Sequence, residues 1–203
     1  MENFDGTWLM IKTGDDYSSP EFIEFEDDQI IHYELEEEAT NSLIKKRIPW
    51  TEKLSESKYE FVNEDRIKIY RWGRRATIRK DETITEDVEF ERHYERIVPT
   101  KTALTAEQIQ QLEFHAEWNN EKGPIIFNKD LDSPALQEVN KRLNKEGLKI
   151  LLEELQGTYF ASTYDYGSRQ QLIGIKEIDE EKAILYGLPD TPYEITAQRI
   201  KDQ

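Results

Sequence analysis

Residues 21–35 read Glu21-Phe22-Ile23-Glu24-Phe25-Glu26-Asp27-Asp28-Gln29-Ile30-Ile31-His32-Tyr33-Glu34-Leu35, and this stretch decides the fold. Apolar and polar side chains alternate on both sides of Glu26-Asp27-Asp28. A period of two belongs to a strand whose successive side chains point to opposite faces. The stretch therefore predicts a hairpin, with strands over 21–25 and 29–35 joined by a polar turn. Ile23, Phe25, Ile31, Tyr33 and Leu35 are expected to face inward, which leaves His32 on the opposite, solvated face.

The same period extends outward in both directions. Strands are expected over 7–13, 42–50, 59–62, 66–79 and 85–98, with turns at Asn63-Glu64-Asp65 and Lys80-Asp81-Glu82. Six to eight such strands suffice to close a small barrel. Pro99 ends the last of them, and the period then changes. Thr105 with Gln108 forms a capping-box pattern followed by Ile109, Leu112 and Ala116 at helical spacing, which predicts a helix over 105–119. Ser133-Pro134 followed by Leu136, Val139 and Leu143, with Gly147 as a C-terminal cap, predicts a second over 134–146. Residues 148–155 extend that helix or form a short third one. From Gly157 strands return over 158–164, 170–178, 182–186 and 193–200. The expected fold class is α+β, predominantly antiparallel β, with a barrel over residues 1–100 and, over 101–203, a helical connector and a small antiparallel β-meander. An internal echo links the two β regions: Gly6-Thr7-Trp8 matches Gly157-Thr158-Tyr159, and residues 27–35 match 180–188, so the second region is expected to be a shortened copy of the first.

Composition narrows the function classes. Twenty-seven basic against 43 acidic residues leave a formal charge of −16 over 203 residues. That balance repels nucleic-acid phosphates and anionic lipid, which are bound through Lys and Arg, and favours a cationic partner. The absence of cysteine removes disulfides, thiolate metal ligands and thiol nucleophiles, and suits a reducing compartment, so a cytoplasmic location is expected. The start, Met1-Glu2-Asn3-Phe4-Asp5, is acidic and lacks the basic and apolar run of a secretory signal, so no export signal is expected. The apolar run at 148–155 is far shorter than the roughly 20 residues of a membrane span.

The motifs that carry chemistry are sparse. His32, His93 and His115 lack the paired spacing of metal ligands, so no metal and no cofactor is expected, and His32 and His93 read as surface residues. Asn128-Lys129-Asp130-Leu131-Asp132 spaces oxygen-bearing side chains as a calcium loop does, but Ser133-Pro134 replaces the sharp-turn glycine and marks a helix start instead. No nucleophile elbow, phosphate loop or dinucleotide glycine pattern occurs, and the chain is expected to be non-catalytic. Arg66, Lys68, Arg71, Arg74, Arg75, Arg79 and Lys80 form a basic stretch without an acid, interleaved with Tyr70 and Trp72. Such a strand could hold an anion, but its arginines are expected to pair with Glu89, Glu91 and Glu95 on the neighbouring strand.

Gly6-Thr7-Trp8 resembles the Gly-x-Trp opening of lipocalin-like (calycin) barrels, and Phe90-Glu91-Arg92-His93-Tyr94-Glu95-Arg96-Ile97 is similar to their closing strand. The resemblance covers residues 1–100. It implies that Trp8 plugs the closed end of a barrel and packs on a late arginine, Arg92 or Arg96, and that the mouth takes a small apolar ligand. The expected function is thus a non-catalytic binding protein in which Trp8, Tyr33, Tyr70, Trp72 and Tyr94 line or plug the cavity and Arg71 or Arg92 orients a carboxylate. The alternative is an acidic interaction module, such as an immunity-type inhibitor of a basic partner, that uses Asp27, Asp28, Glu36, Glu37 and Glu38.

Overall fold

A computed structural model describes residues 3–13, 21–37, 43–79, 82–118, 121–127, 149–165, 168–188 and 194–200. The first hundred residues supply β1 (Trp8–Thr13), β2 (Phe22–Glu26), β3 (Gln29–Glu37), β4 (Leu43–Lys53), β5 (Lys58–Asn63), β6 (Arg66–Arg79) and β7 (Glu82–Arg96). They form one antiparallel sheet in the order β4-β3-β2-β1-β7-β6-β5. The hairpin at 21–35 forms as its alternation requires, with Phe22 opposite Tyr33 and Glu26 opposite Gln29, and Asp27 turns the corner at φ 52°. Asp28 then accepts hydrogen bonds from the amide and hydroxyl of Ser55, at 2.8 and 2.6 Å, which ties this turn to the 3-10 turn Leu54–Glu56.

The sheet curls into a half-barrel and does not close, because β4 and β5 stand at opposite edges. Five strand steps separate β4 from β6, which in a flat sheet would be roughly 24 Å at the usual inter-strand spacing. Arg71 on β6 nevertheless reaches Glu52 on β4 at 2.8 Å, so the face they share is the concave one. Outward from Tyr70 and Arg92 the β6–β7 hairpin has no flanking strand among the described residues and continues as a two-stranded arm.

The second half departs from expectation. The capping box on Thr105 and Gln108 is present, but the helix it starts, α1, spans only Ala106–Ile109. Residues expected to continue it form β8 (Glu113–Trp118), which pairs with β9 (Glu121–Ile126) and β14 (Ile195–Arg199). Phe114 and Ala116 are both fully buried, and that period of two overrides the helical spacing of Leu112 and Ala116. Residues 148–155 do not prolong a helix either: β10 (Lys149–Leu155) is a strand buried on both faces, where a near-continuous apolar run imitates a helix. The expected helix over 134–146 and the 128–132 segment lie outside the described residues. With β11 (Thr158–Asp165), β12 (Ser168–Ile178) and β13 (Lys182–Tyr186), these strands form a second sheet in the order β10-β11-β12-β13-β14-β8-β9. It is as wide as the first, and so is no small meander.

The segments that echo one another in sequence hold matching positions. β1 to β4 are consecutive neighbours in one sheet and β11 to β14 in the other. Gly6 and Gly157, which precede β1 and β11, both adopt a positive φ, 97° and 81°.

Three cores follow from this arrangement. Leu9, Ile11 and Phe22 of the first sheet pack against Phe160, Leu172 and Tyr186 of the second. The concave face of the first sheet buries Trp8, Met10, Ile23, Ile30 and Tyr94. The far face of the second buries Phe114, Phe127, Ile173, Ile175 and Leu185. The central strands are therefore buried on both sides, which explains the unbroken apolar run Trp8-Leu9-Met10-Ile11. It also splits the expected inward set: Ile23 and Phe25 face the concave side, whereas Tyr33 and Leu35 face the second sheet. Gly174 is required where it stands, because a Cβ there would lie 2.1 Å from the Tyr186 ring.

Candidate functional site

The concave face of the half-barrel changes character along its length. At one end Trp8, Phe4, Phe25 and Phe61 form an aromatic cluster, edge-to-face except for the tilted Phe4–Phe25 pair. The guanidinium of Arg96 lies 4.6 Å from the Trp8 ring, and Arg96 donates to the carbonyls of Asn3, Asp5 and Glu64. Of the two candidate arginines it is Arg96 that packs on the tryptophan, and this end is sealed.

Toward the other end the same alternation that buries Ile30, Ile67, Ile69 and Tyr94 carries His32, Arg71 and Arg92 onto the concave face two residues later or earlier. A bulge completes the group. Three residues of β4, Ile48-Pro49-Trp50, oppose the single residue His32 between the pairs Ile31–Thr51 and Tyr33–Arg47. Pro49 cannot donate to the ladder, and such irregularities re-aim side chains. Here the Trp50 ring stacks on the His32 imidazole, with centroids 4.0 Å apart and planes 17° from parallel.

The polar groups form one network. His32 Nδ1 lies 2.9 Å from Glu21 Oε1, to which the Tyr94 hydroxyl also donates at 2.9 Å. Arg92 Nη1 approaches the other Glu21 oxygen at 3.7 Å. Across the curl, Arg71 Nη2 lies 2.8 Å from Glu52 Oε1 and 3.2 Å from His32 Nε2, and Glu52 Oε1 is 3.2 Å from the same Nε2. His32 and Tyr94 are fully buried, whereas the side chains of Arg71 and Arg92 retain 13% and 27% exposure. The Nε–H of Arg71 and that of Arg92 are buried with no hydrogen-bond partner among the described residues.

Electrostatics binds the network together. Burial works to raise the Glu21 pKa, but the His32 bond and the charges of His32, Arg92 and Arg71 outweigh it and hold the carboxyl below its ordinary value. Burial works to lower the His32 pKa, and the bonds to Glu21 and Glu52 outweigh it, so the imidazole is raised. Burial pushes the Tyr94 hydroxyl well above its ordinary value, which keeps it a donor.

Of the residues singled out in the sequence, Arg71, Arg92 and Tyr94 meet here and Trp8 forms the floor at the sealed end. Tyr33 lies on the opposite face, where Lys45 covers its ring and its hydroxyl bonds Glu24, with a pKa raised to about 12 by burial and that bond. Tyr70 bonds Glu60 on the outer surface, and Trp72, 74% exposed, stands on the arm. His32 is not a surface residue. Neither is His93, which is buried and bonded to Glu91. Their strands are covered on both sides, so the polar member of an alternating pair is buried too. The expected cross-strand pairing occurs in part: Arg66 pairs with Glu95 at 2.6 Å, but Glu91 meets Lys68 at 3.4 Å, Arg74 faces Asp87 at 3.4 Å, and Glu89 pairs with Lys58 of β5 at 2.8 Å. Among the described side chains of that basic stretch, Arg71 alone turns inward to the network.

The acidic candidates are dispersed. Asp28 is engaged with Ser55, Glu36 pairs with Lys46 at 2.6 Å, Asp27 is exposed at its turn, and Glu38 lies outside the described residues. Glu37 is placed by its backbone at the end of β3.

No protein-family model matches the chain, and no curated protein or solved structure matches it. Among the described residues no helix is long and apolar enough to cross a membrane.

Proposed function

We propose that the half-barrel is a calycin-like binding module for a small molecule bearing a carboxylate, held between Arg71 and Arg92 at the open end of the concave face. The observation that carries this reading is the pair of buried guanidinium Nε–H groups without partners. A buried unsatisfied donor costs about 1–3 kcal/mol, and a planar carboxylate can accept two N–H bonds from each guanidinium fork. Glu21, held by the Tyr94 hydroxyl, faces Arg92 at 3.7 Å, while Trp50, 44% exposed, offers an apolar wall beside the entrance. The sealed aromatic end supports the same reading, since it gives the ligand a single direction of entry. The acidic interaction reading has less support, because Asp28 and Glu36 already have local partners.

Native mass spectrometry of protein purified from its own host tests the proposal. A co-purifying acid that is lost on denaturation, and is absent from the Arg71→Met/Arg92→Met double variant, is the expected result. Equal ligand occupancy in the double variant contradicts it.

A further inference from the structure

At His32 two carboxylates and a guanidinium compete for one imidazole. Nδ1 faces Glu21 at 2.9 Å, and Nε2 faces both Glu52 and Arg71, each at 3.2 Å. These contacts cannot all be hydrogen bonds at once. A neutral ring protonated on Nδ1 donates to Glu21 and accepts from Arg71 at Nε2, and it then offers Glu52 nothing. An imidazolium donates to Glu21 from Nδ1 and to Glu52 from Nε2, and it can no longer accept from Arg71. The proton on Nε2 therefore decides how firmly Arg71 is held inside the protein.

Charge balance gives that choice a consequence for the ligand. The groups facing the ring are Glu21 ahead of β2, Trp50 and Glu52 from β4, Arg71 from β6, and Arg92 and Tyr94 from β7. With a neutral ring the two acids balance the two arginines, and an entering carboxylate would leave one uncompensated negative charge in a mostly buried site. With an imidazolium the group carries one positive charge, and an entering carboxylate cancels it. An uncompensated buried charge is strongly disfavoured.

We infer that the site takes up one proton with its anion: as a carboxylate docks between Arg71 and Arg92, His32 becomes an imidazolium that bridges Glu21 and Glu52. The proton comes from solvent. The new Nε2–H takes over Glu52 Oε1, the acceptor that Arg71 gives up, while Nδ1–H stays on Glu21 Oε1, so that Arg71 is freed to join Arg92, which only approaches Glu21 Oε2 at 3.7 Å, on the ligand. This rests on the carboxylate reading above and specifies how that binding is regulated. The raised titration of His32 is consistent with it, since the bonds to Glu21 and Glu52 overcome the opposing effect of burial.

Calorimetric titration with benzoate, ionised throughout, between about pH 6 and pH 9 in bis-tris propane, repeated near neutral pH in a zwitterionic buffer of different ionisation heat, tests the coupling. Affinity is expected to be strongest at the acid end and to weaken by up to about tenfold per pH unit as pH rises between the His32 pKa of the free and of the bound protein. The heats in the two buffers should differ by an amount approaching one proton taken up per benzoate. His32→Gln should bind with a flat pH profile, and if that variant does not fold, the proton count of the unaltered protein decides. An affinity independent of pH with equal proton counts of zero, while Arg71→Met still weakens binding at least tenfold, sinks the coupling and leaves the carboxylate reading standing. No binding of benzoate or of octanoate at millimolar concentration overturns both.

Discussion

The two sheets share one face and differ in the other. On the far face of the second sheet Phe114, Phe127, Ile175 and Leu185 fill the space with apolar side chains. On the concave face of the first, the apolar lining stops at Ile30, Ile69 and Tyr94 and gives way to His32, Arg71, Arg92, Glu21 and Glu52. One face is complete as a core, whereas the other carries two acids and two arginines around one histidine. Buried ion pairs contribute weakly to stability, because desolvation offsets most of their attraction. A network of this kind therefore adds little to stability, and the proposed binding is placed on it for that reason.

The contrast can be tested from both sides. The largest effect is expected from Phe114→Ala, which should cost about 3–5 kcal/mol by emptying a fully buried aromatic site and should leave carboxylate affinity unchanged. Chemical denaturation with benzoate titration on the folded variant checks both halves of that statement. Arg71→Met and Arg92→Met should reverse the pattern, weakening benzoate binding by roughly ten- to a hundredfold each, the loss of a charge-assisted hydrogen bond, with a smaller change in melting temperature than Phe114→Ala.

The third expectation concerns pH. Because the folded state raises the His32 pKa, the stabilisation from that group is complete below the ordinary value of 6.5 and is lost as pH rises through the folded value. Because the Glu21 pKa is lowered, its stabilisation is complete above the ordinary value of 4.5 and is lost as pH falls through the folded value. Both are present together between about pH 4.5 and 6.5. The melting-temperature difference between the protein and His32→Gln should be greatest in that window and should shrink toward pH 9. A difference that does not change with pH would mean that the ring acts through packing on Trp50 alone.

The smallest effect is expected from Glu36→Lys, whose carboxylate pairs with Lys46 at a half-exposed position. Such pairs contribute about 0–1 kcal/mol, so its melting temperature should stay close to that of the parent protein. Its benzoate affinity should not change.

The strands of both sheets were legible wherever one period ruled. The alternation on either side of Asp27-Asp28, and the returns after Gly157 and at Lys182, locate β2, β3, β11 and β13 to within a residue or two. The Trp8–Arg96 contact was legible as a choice between two arginines. Legibility failed where a strand is covered twice. On β10 a doubly buried run imitates a helix, and on β3 and β7 alternation wrongly sends His32 and His93 to solvent. The site itself depends on two features that a linear pattern does not encode. One is the curl that brings β6 against β4, and the other is the bulge that lays Trp50 on His32. Pro49 inside an otherwise regular strand was the available signal for the bulge, and a histidine two residues after the buried Ile30 was the signal for a polar group on the inner face.

The central claim, that the concave face of the first sheet is an anion site and the far face of the second is only a core, is tested most directly by a crystal structure grown with saturating benzoate. The account predicts a carboxylate within hydrogen-bond distance of both Arg71 and Arg92 guanidiniums, with its ring beside Trp50. Benzoate bound elsewhere, or a concave face holding only water while Arg71 and Arg92 keep their contacts to Glu52 and Glu21, contradicts it.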